Sequence, residues 1–459
     1  MGGDLDPWRT TAAALDVLAL SHGTPALLAR RQQERLAALL RAAEASPFWR
    51  ERLRGHRLDD GLAGLRPVSK AELMEQFDRW AGDAAIRRDP VQAFAADPAH
   101  IGQPFAGRFI VWESSGSSGE PGLFVQDGAA MAVYDALEGL RRPPLQPLRR
   151  WLDPCCLAER IAFVGATSGH FASTVTLRRL ERLQPGFAQR ACAHDFLQPL
   201  PALVAALNAQ SPTVLATYPS AALLLAGEAR AGRLRVTLAE VWTGGETLGP
   251  AARAEIEAAF GCPLANSYGA SEFLALASEC AHGALHLNAD WVLLEPVDAA
   301  GRPVPPGTCG EKVWLTNLAN HVQPLIRYEL GDRVTLQAEP CACGSPLPVI
   351  SVQGRSDDVL ELRGARGERV RLLPLALTTI LEEHGRVFDF QLVQTGAAAL
   401  RLDLGAVHDA VATARAREAL RAWLAAQGLA AVRVSTRRVE TWHSGRSGKR
   451  RRVVAAEAR

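Results

Sequence analysis

The sequence predicts an α/β fold with largely parallel sheets, and three observations carry that reading. Short apolar strand candidates alternate with helix-patterned segments from residue 109 to residue 242, at the spacing of α/β units. From about Asp290 the texture changes to short strands separated by proline and glycine turns, which fits a smaller β-rich portion. From about Val359 a last set of strands and helices makes a compact α+β unit of roughly 100 residues.

Taken in order, residues 26–45 place Leu28, Leu36, Leu39, Leu40 and Ala43 on one side of a helix that ends near Ser46-Pro47. Ser69 and Glu72 have capping-box spacing and open a short helix through Leu73 and Phe77. The apolar run Phe109-Ile110-Val111-Trp112 reads as a strand, residues 129–140 as a helix and 161–164 as a buried strand. A helix over 200–207, a strand over 213–216, a helix over 220–231 and a strand ending at Val241-Trp242 follow. Strands are expected at 291–294, 312–315 and 334–336. The last unit then has helices at 373–384 and 407–427, with strands near 388–393, 398–402 and 431–434. The joint before it, residues 353–358, is polar and contains glycine, as a hinge should. The expected division is a large N-terminal domain over 1–353, a hinge at 354–358 and a small domain over 359–459.

The chain has 459 residues with 51 basic and 49 acidic side chains, a net charge of +2. That balance gives no global basic field, so nucleic acid is excluded as an expected partner. The first residues carry acidic groups and a single arginine ahead of an apolar stretch, unlike a signal peptide. No apolar run is long and uninterrupted enough to span a bilayer. A cytoplasmic enzyme is the expectation. Eight cysteines are too sparse for a disulfide scaffold, and their clustering carries more information.

After the strand at Phe109 comes a turn of small residues and hydroxyls, ESSGSSGEP over 113–121. Gly116 and Gly119 let the backbone approach a ligand, and Ser114, Ser115, Ser117 and Ser118 offer hydroxyl donors without bulk, which suits phosphate oxygens. It is not a Walker A loop, because the lysine and its spacing are absent. Alone, such a loop is an ordinary turn. A second constellation sets Cys280 and His286 six positions apart, with Cys341-Ala342-Cys343-Gly344 downstream. Three thiolates and an imidazole make a closed tetrahedral zinc set, with His282 as the competing imidazole and free buried cysteines as the plain alternative. Cys155, Cys156, Cys192, Cys262 and Cys309 read as small core residues.

Five segments stand in one order: ESSGSSGEP at 113–121, TGGE at 243–246, NSYGASE at 266–272, YELGD at 328–332 and GRSDD at 354–358, with SGRSGK at 444–449 closing the chain. With SPFWRERL near the N-terminus, this ordered set resembles the adenylate-forming superfamily of acyl-activating ligases, and within it the phenylacetate–CoA ligases and their coenzyme F390 synthetase-like relatives. The resemblance implies the adenylate-forming fold, a large N-terminal α/β domain with a small β portion and a small mobile C-terminal α+β domain.

It also implies roles. Residues 114–119 would hold the β- and γ-phosphates of ATP. Gly244, Gly245 and Glu246 would border the adenine, and Tyr268, followed by Gly269, would stack on it. Ser271 would touch the α-phosphate and Glu272 would hold Mg²⁺. Asp332 would take the ribose hydroxyls with Arg355 beside it, Asp357 would be the pivot, and Lys449 would reach the carboxylate and α-phosphate. The acyl pocket would lie among His170, Phe171, Tyr218 and Ser267, and a structural Zn²⁺ on Cys280, His286, Cys341 and Cys343. His170 could equally be a core histidine.

The implied reaction is ATP-dependent activation of an aromatic carboxylic acid, then transfer to coenzyme A. An amine, a hydroxyl or a carrier-protein thiol remains open as acceptor, as do a homodimer and a non-catalytic binding role. One position departs from the family: Glu120 stands where those ligases usually carry a phosphate-loop lysine. A carboxylate there repels a triphosphate unless it points away or helps hold the metal.

Overall fold

The computed structural model of the protein describes residues 6–114, 121–142, 145–153, 156–353, 359–364, 367–387, 390–405, 408–439 and 452–455. Among them a nine-stranded sheet organises the large N-terminal portion. In spatial order its strands are Arg333–Leu336, Val349–Gln353, Leu285–Leu287, Phe273–Glu279, Leu264–Ala270, Glu240–Gly244, Val214–Thr217, Ile161–Gly165 and Ala191–Asp195. The five from Leu264–Ala270 to Ala191–Asp195 pair in parallel, as the alternating pattern requires. The rest are antiparallel.

The expectation of a separate β-rich portion after Asp290 therefore holds only in part. Val292–Val297, Lys312–Asn317 and Tyr328–Leu330 form their own three-stranded sheet, but the two later strands extend the large one. The cause is local. Strands Leu264–Ala270 and Phe273–Glu279 are joined by only two residues, which forces an antiparallel hairpin and turns the sheet's direction.

One face of the parallel strands buries Val164, Leu215, Val241 and Leu264 against Leu203, Leu207, Ala222, Leu225 and Ile256 of the following helices. Each such side chain contributes about 1.5–3 kcal/mol on leaving water. The N-terminal helices Pro7–Ser21 and Pro25–Ala43 belong to a second core. There the indoles of Trp49 and Trp80 both donate to the Pro324 carbonyl, at 2.9 and 2.6 Å. Cys192, expected in a core, is exposed instead, because its strand is the edge of the sheet.

The C-terminal α+β domain has a four-stranded sheet in the order Arg433–Val439, Ala399–Gly405, Phe390–Gly396 and Val453–Val454, with helices Pro374–Glu383 and Ala410–Ala426. It rests on the large domain. Leu373, Ala376 and Ile380 join the apolar cluster of the parallel sheet. Trp423 and Gln427 each donate to the Leu197 carbonyl at 2.8 Å. Among the described residues no helix is long and apolar enough to cross a membrane.

Candidate active site

The carboxyl ends of the parallel strands open into a cleft of about 2390 Å³, the place where open α/β sheets bind ligands. Ser114, Phe171, Tyr218, Gly244, Gly245, Glu246, Ser267, Tyr268, Gly269, Ser271, Glu272 and Asp332 all line it. Residues from sequence segments far apart thus converge on one space.

Ser114 closes the neck of its loop. Its backbone N–H donates to the Gly122 carbonyl and its Oγ accepts from the Gly122 N–H, both at 2.8 Å. Strands Phe109–Glu113 and Leu123–Asp127 pair antiparallel, with Glu113 opposite Leu123, so Ser114 and Gly122 continue that ladder by one step. Ser115, Gly116, Ser117, Ser118, Gly119 and Glu120 lie outside the described residues, as do Arg355, Asp357 and Lys449.

The strand Glu240–Gly244 delivers the two glycines. Gly245 has φ +78°, and a side chain there would stand 3.1 Å from the Tyr218 ring, so glycine alone fits without strain. Burial pushes the Tyr218 phenol up to about 12, so it stays a protonated donor. Glu246 accepts from the Ser220 N–H and Oγ, both at 2.9 Å, at the start of helix Pro219–Arg230. A carboxylate there caps orphan donors and suits the helix dipole.

The hairpin Leu264–Ala270/Phe273–Glu279 carries the next group. A side chain at Gly269 would lie 2.1 Å from the Leu274 carbonyl oxygen, so glycine permits the bulge between Tyr268 and Ala270. That bulge presents Tyr268, whose hydroxyl donates to Asp332 Oδ2 at 2.9 Å. Burial first, then Asp332, hold its phenol well above the ordinary range. At the turn, the Ser271 carbonyl accepts from the Trp112 indole at 2.7 Å. Glu272 is buried, and burial raises its carboxyl pKa against the opposing pull of a Tyr328 hydrogen bond and the Lys70 ammonium. Ser267 Oγ donates to the Thr243 carbonyl at 3.3 Å.

His170 is placed elsewhere. It is buried, does not line the cleft, and its ring packs 5.9 Å from that of Phe94. Burial lowers its pKa, the behaviour of a core imidazole. Its backbone carbonyl accepts from the Glu113 N–H at 2.7 Å, which positions the neighbouring Phe171 at the cleft.

Sequence reasoning missed several residues. Lys70 lines the cleft and acts on Glu272. The signal was its rarity: the chain has three lysines, at 70, 312 and 449, among 51 basic residues. Tyr328 and Tyr134 were also missed. All four tyrosines of the chain line this cleft.

The thiol cluster assembles as expected. The ligand atoms of Cys280, His286, Cys341 and Cys343 all lie within 4.8 Å of one another. His286 Nδ1 is 2.8 Å from the Leu347 carbonyl, which only accepts, so the proton sits on Nδ1 and the Nε2 lone pair faces Cys343 Sγ at 3.3 Å. His282 lies outside the group and gives only its backbone N–H, to Cys280 Sγ at 3.4 Å. Three sulfurs and one oriented imidazole fit a tetrahedral metal ion.

No family model matches the chain, and no curated protein matches it. Among solved structures it is similar to crystal forms of 2-hydroxyisobutyryl-CoA ligase. The form with 2-HIB-AMP and CoA in the thioesterification state is 22% identical at a TM-score of 0.56, over 93% of this chain and 89% of that chain. The open conformation with the same ligands is 22% identical at 0.51, over 93% and 91%. The postadenylation state with R3-HIB-AMP is 22% identical at 0.52, over 93% and 89%. A large mixed α/β domain followed by a small α+β domain is the fold of the adenylate-forming enzymes, and this chain has that fold.

Proposed function

We propose that the chain is an AMP-forming acid–CoA ligase, activating an aromatic or related carboxylic acid with ATP and passing the acyl group to coenzyme A. One observation supports it most: Ser114, Gly244–Glu246, Tyr268, Glu272 and Asp332, from separate sequence segments, line a single cleft in an adenylate-forming fold. Aromatic side chains on the cleft wall, among them Phe163, Phe171, Phe187 and Trp242, favour a flat apolar acid.

In this reading the acid's carboxylate attacks the α-phosphorus of ATP, the bond to the pyrophosphate oxygen breaks, and negative charge spreads over the phosphoryl oxygens. Asp332, oriented by Tyr268, takes the ribose hydroxyls. Glu272 would hold Mg²⁺, which when bound supplies charge neutralisation at the phosphates. Lys449 is the ammonium for the developing charge; it lies three residues before Arg452, which lines the cleft. Arg355 sits beside the ribose, residues 114–119 hold the terminal phosphates, and Asp357 is the pivot about which the small domain turns. The coenzyme A thiol then displaces AMP from the acyl carbon. Cys280, His286, Cys341 and Cys343 hold a structural zinc.

The test is acid-dependent pyrophosphate exchange across a broad acid panel, with acceptors supplied separately. Exchange is expected with aromatic acids and thioester only with coenzyme A. Lys449→Ala is expected to lower exchange roughly 10²- to 10³-fold, the scale of one transition-state electrostatic contact, with Arg450→Ala close to the parent. No exchange with any acid would favour a nucleotide-binding module without catalysis.

A further inference from the structure

The strand Glu240–Gly244 runs along the cleft, with Gly244 at the nucleotide end and Glu240 four residues away at the other. At a rise of 3.2–3.4 Å per residue the two ends are about 13 Å apart. Between them the wall is apolar. Trp242 shares a row with Ala216 and Phe163 on the two neighbouring strands, and all three line the cleft. Leu177 and Leu180, from helix Ala172–Leu183, line it too.

At the far end the chemistry changes. Glu240 is 7% exposed and lines the cleft. The Trp242 indole donates to its Oε2 at 2.9 Å. Among the described residues no donor reaches Oε1, and no arginine or lysine pairs with the carboxylate. Among the described residues, two arginines that line this cleft are engaged elsewhere. Arg142 lies over the Trp242 ring at 4.7 Å and pairs with Glu138 at 2.9 Å. Arg190 gives its Nε to the Gly186 carbonyl at 2.9 Å. A buried carboxylate without a counter-charge is costly, and a ligand that supplies the charge removes that cost.

We propose that Glu240 is the counter-ion for a protonated amine at the far end of the substrate acid. The inference rests on the ligase reading and deepens it. The acid has its carboxylate at the nucleotide end, an apolar, flat body along Trp242 and Phe163, and an ammonium group that reaches Glu240. A phenylacetate-sized acid leaves this end of the cleft unfilled.

The test uses the full chain and three near-isosteric acids, para-ethylcinnamate, para-(hydroxymethyl)cinnamate and para-(aminomethyl)cinnamate, with binding read by titration calorimetry at neutral pH. The aminomethyl acid is expected to bind about 10- to 100-fold tighter than the ethyl acid, as a hydrogen bond to a charged group implies, with the hydroxymethyl acid between them. Glu240→Gln keeps an acceptor for the Trp242 indole and is expected to abolish the preference for the amine. Equal affinities in the parent protein overturn the proposal, as does a preference that survives Glu240→Gln. The parent's affinity order stands as a test even if the variant fails to fold. Pyrophosphate exchange with the same acids is scored separately: no exchange alongside the expected affinity order removes the ligase reading and upholds the amine site.

Discussion

Tyr268 and Asp332 are 64 positions apart in sequence, yet the phenol hydroxyl donates to Asp332 Oδ2 at 2.9 Å. Burial keeps the phenol protonated, so it remains a donor and fixes the carboxylate's rotamer. Under the proposed function, Tyr268→Phe removes a hydrogen bond to a charged group, about 1.5 kcal/mol, so KM for ATP should rise roughly tenfold with kcat less affected. Steady-state kinetics in ATP at saturating acid measures the split; an unchanged KM would show that Asp332 needs no such support. The two residues were legible in the motifs YELGD and NSYGASE, but the bond between them was not, because a linear motif carries no information about which strands the chain brings side by side. His170 shows the converse. Its type suited a ligand pocket and a core equally, and packing against Phe94 decides for the core.

At the scale of elements, the segments that could be read were those with a strong local pattern. Ser69 caps helix Lys70–Glu75 through its hydroxyl, which accepts from the Glu72 N–H at 3.2 Å, and the apolar strands fell where their runs stood. The switch from parallel to antiparallel pairing was not legible. It depends on a two-residue turn after Ala270 and on the close approach at Gly269, which no periodicity encodes. The cysteine knuckle lies between these cases, since spacing suggested the donors and the fold selected His286 over His282. The proposed zinc would pin the turn at Cys341 to the strand ends at Glu279 and Leu285, and metal-binding free energy there becomes folding free energy. Elemental analysis of reduced protein should find about one zinc per chain. Cys343→Ser should lower Tm clearly while KM for ATP changes little; a well-folded parent without metal would refute the site.

Across the whole molecule, the small domain's seat on the large one could not be read from sequence, because it is built from single contacts between distant segments. One of them is a titrating latch. Glu383, on helix Pro374–Glu383, accepts from the Ser168 hydroxyl at 3.0 Å, and its other oxygen is buried without a hydrogen-bond partner. Burial, with smaller contributions from Asp195 and Glu382, lifts its carboxyl from 4.5 to about 7, while Arg386 pulls the other way. The folded protein therefore holds a proton there that the unfolded chain has already lost between about pH 4.5 and 7. The stabilisation is fully present below the lower value and is lost as pH rises through the upper one. Glu383→Gln mimics the protonated carboxyl and keeps an acceptor for Ser168. In thermal melts across this range, the parent's Tm should fall with rising pH relative to the variant, and the two curves should differ most near neutrality. Parallel curves would mean that the Glu383 carboxylate is solvated and that the two domains part there without a proton's help.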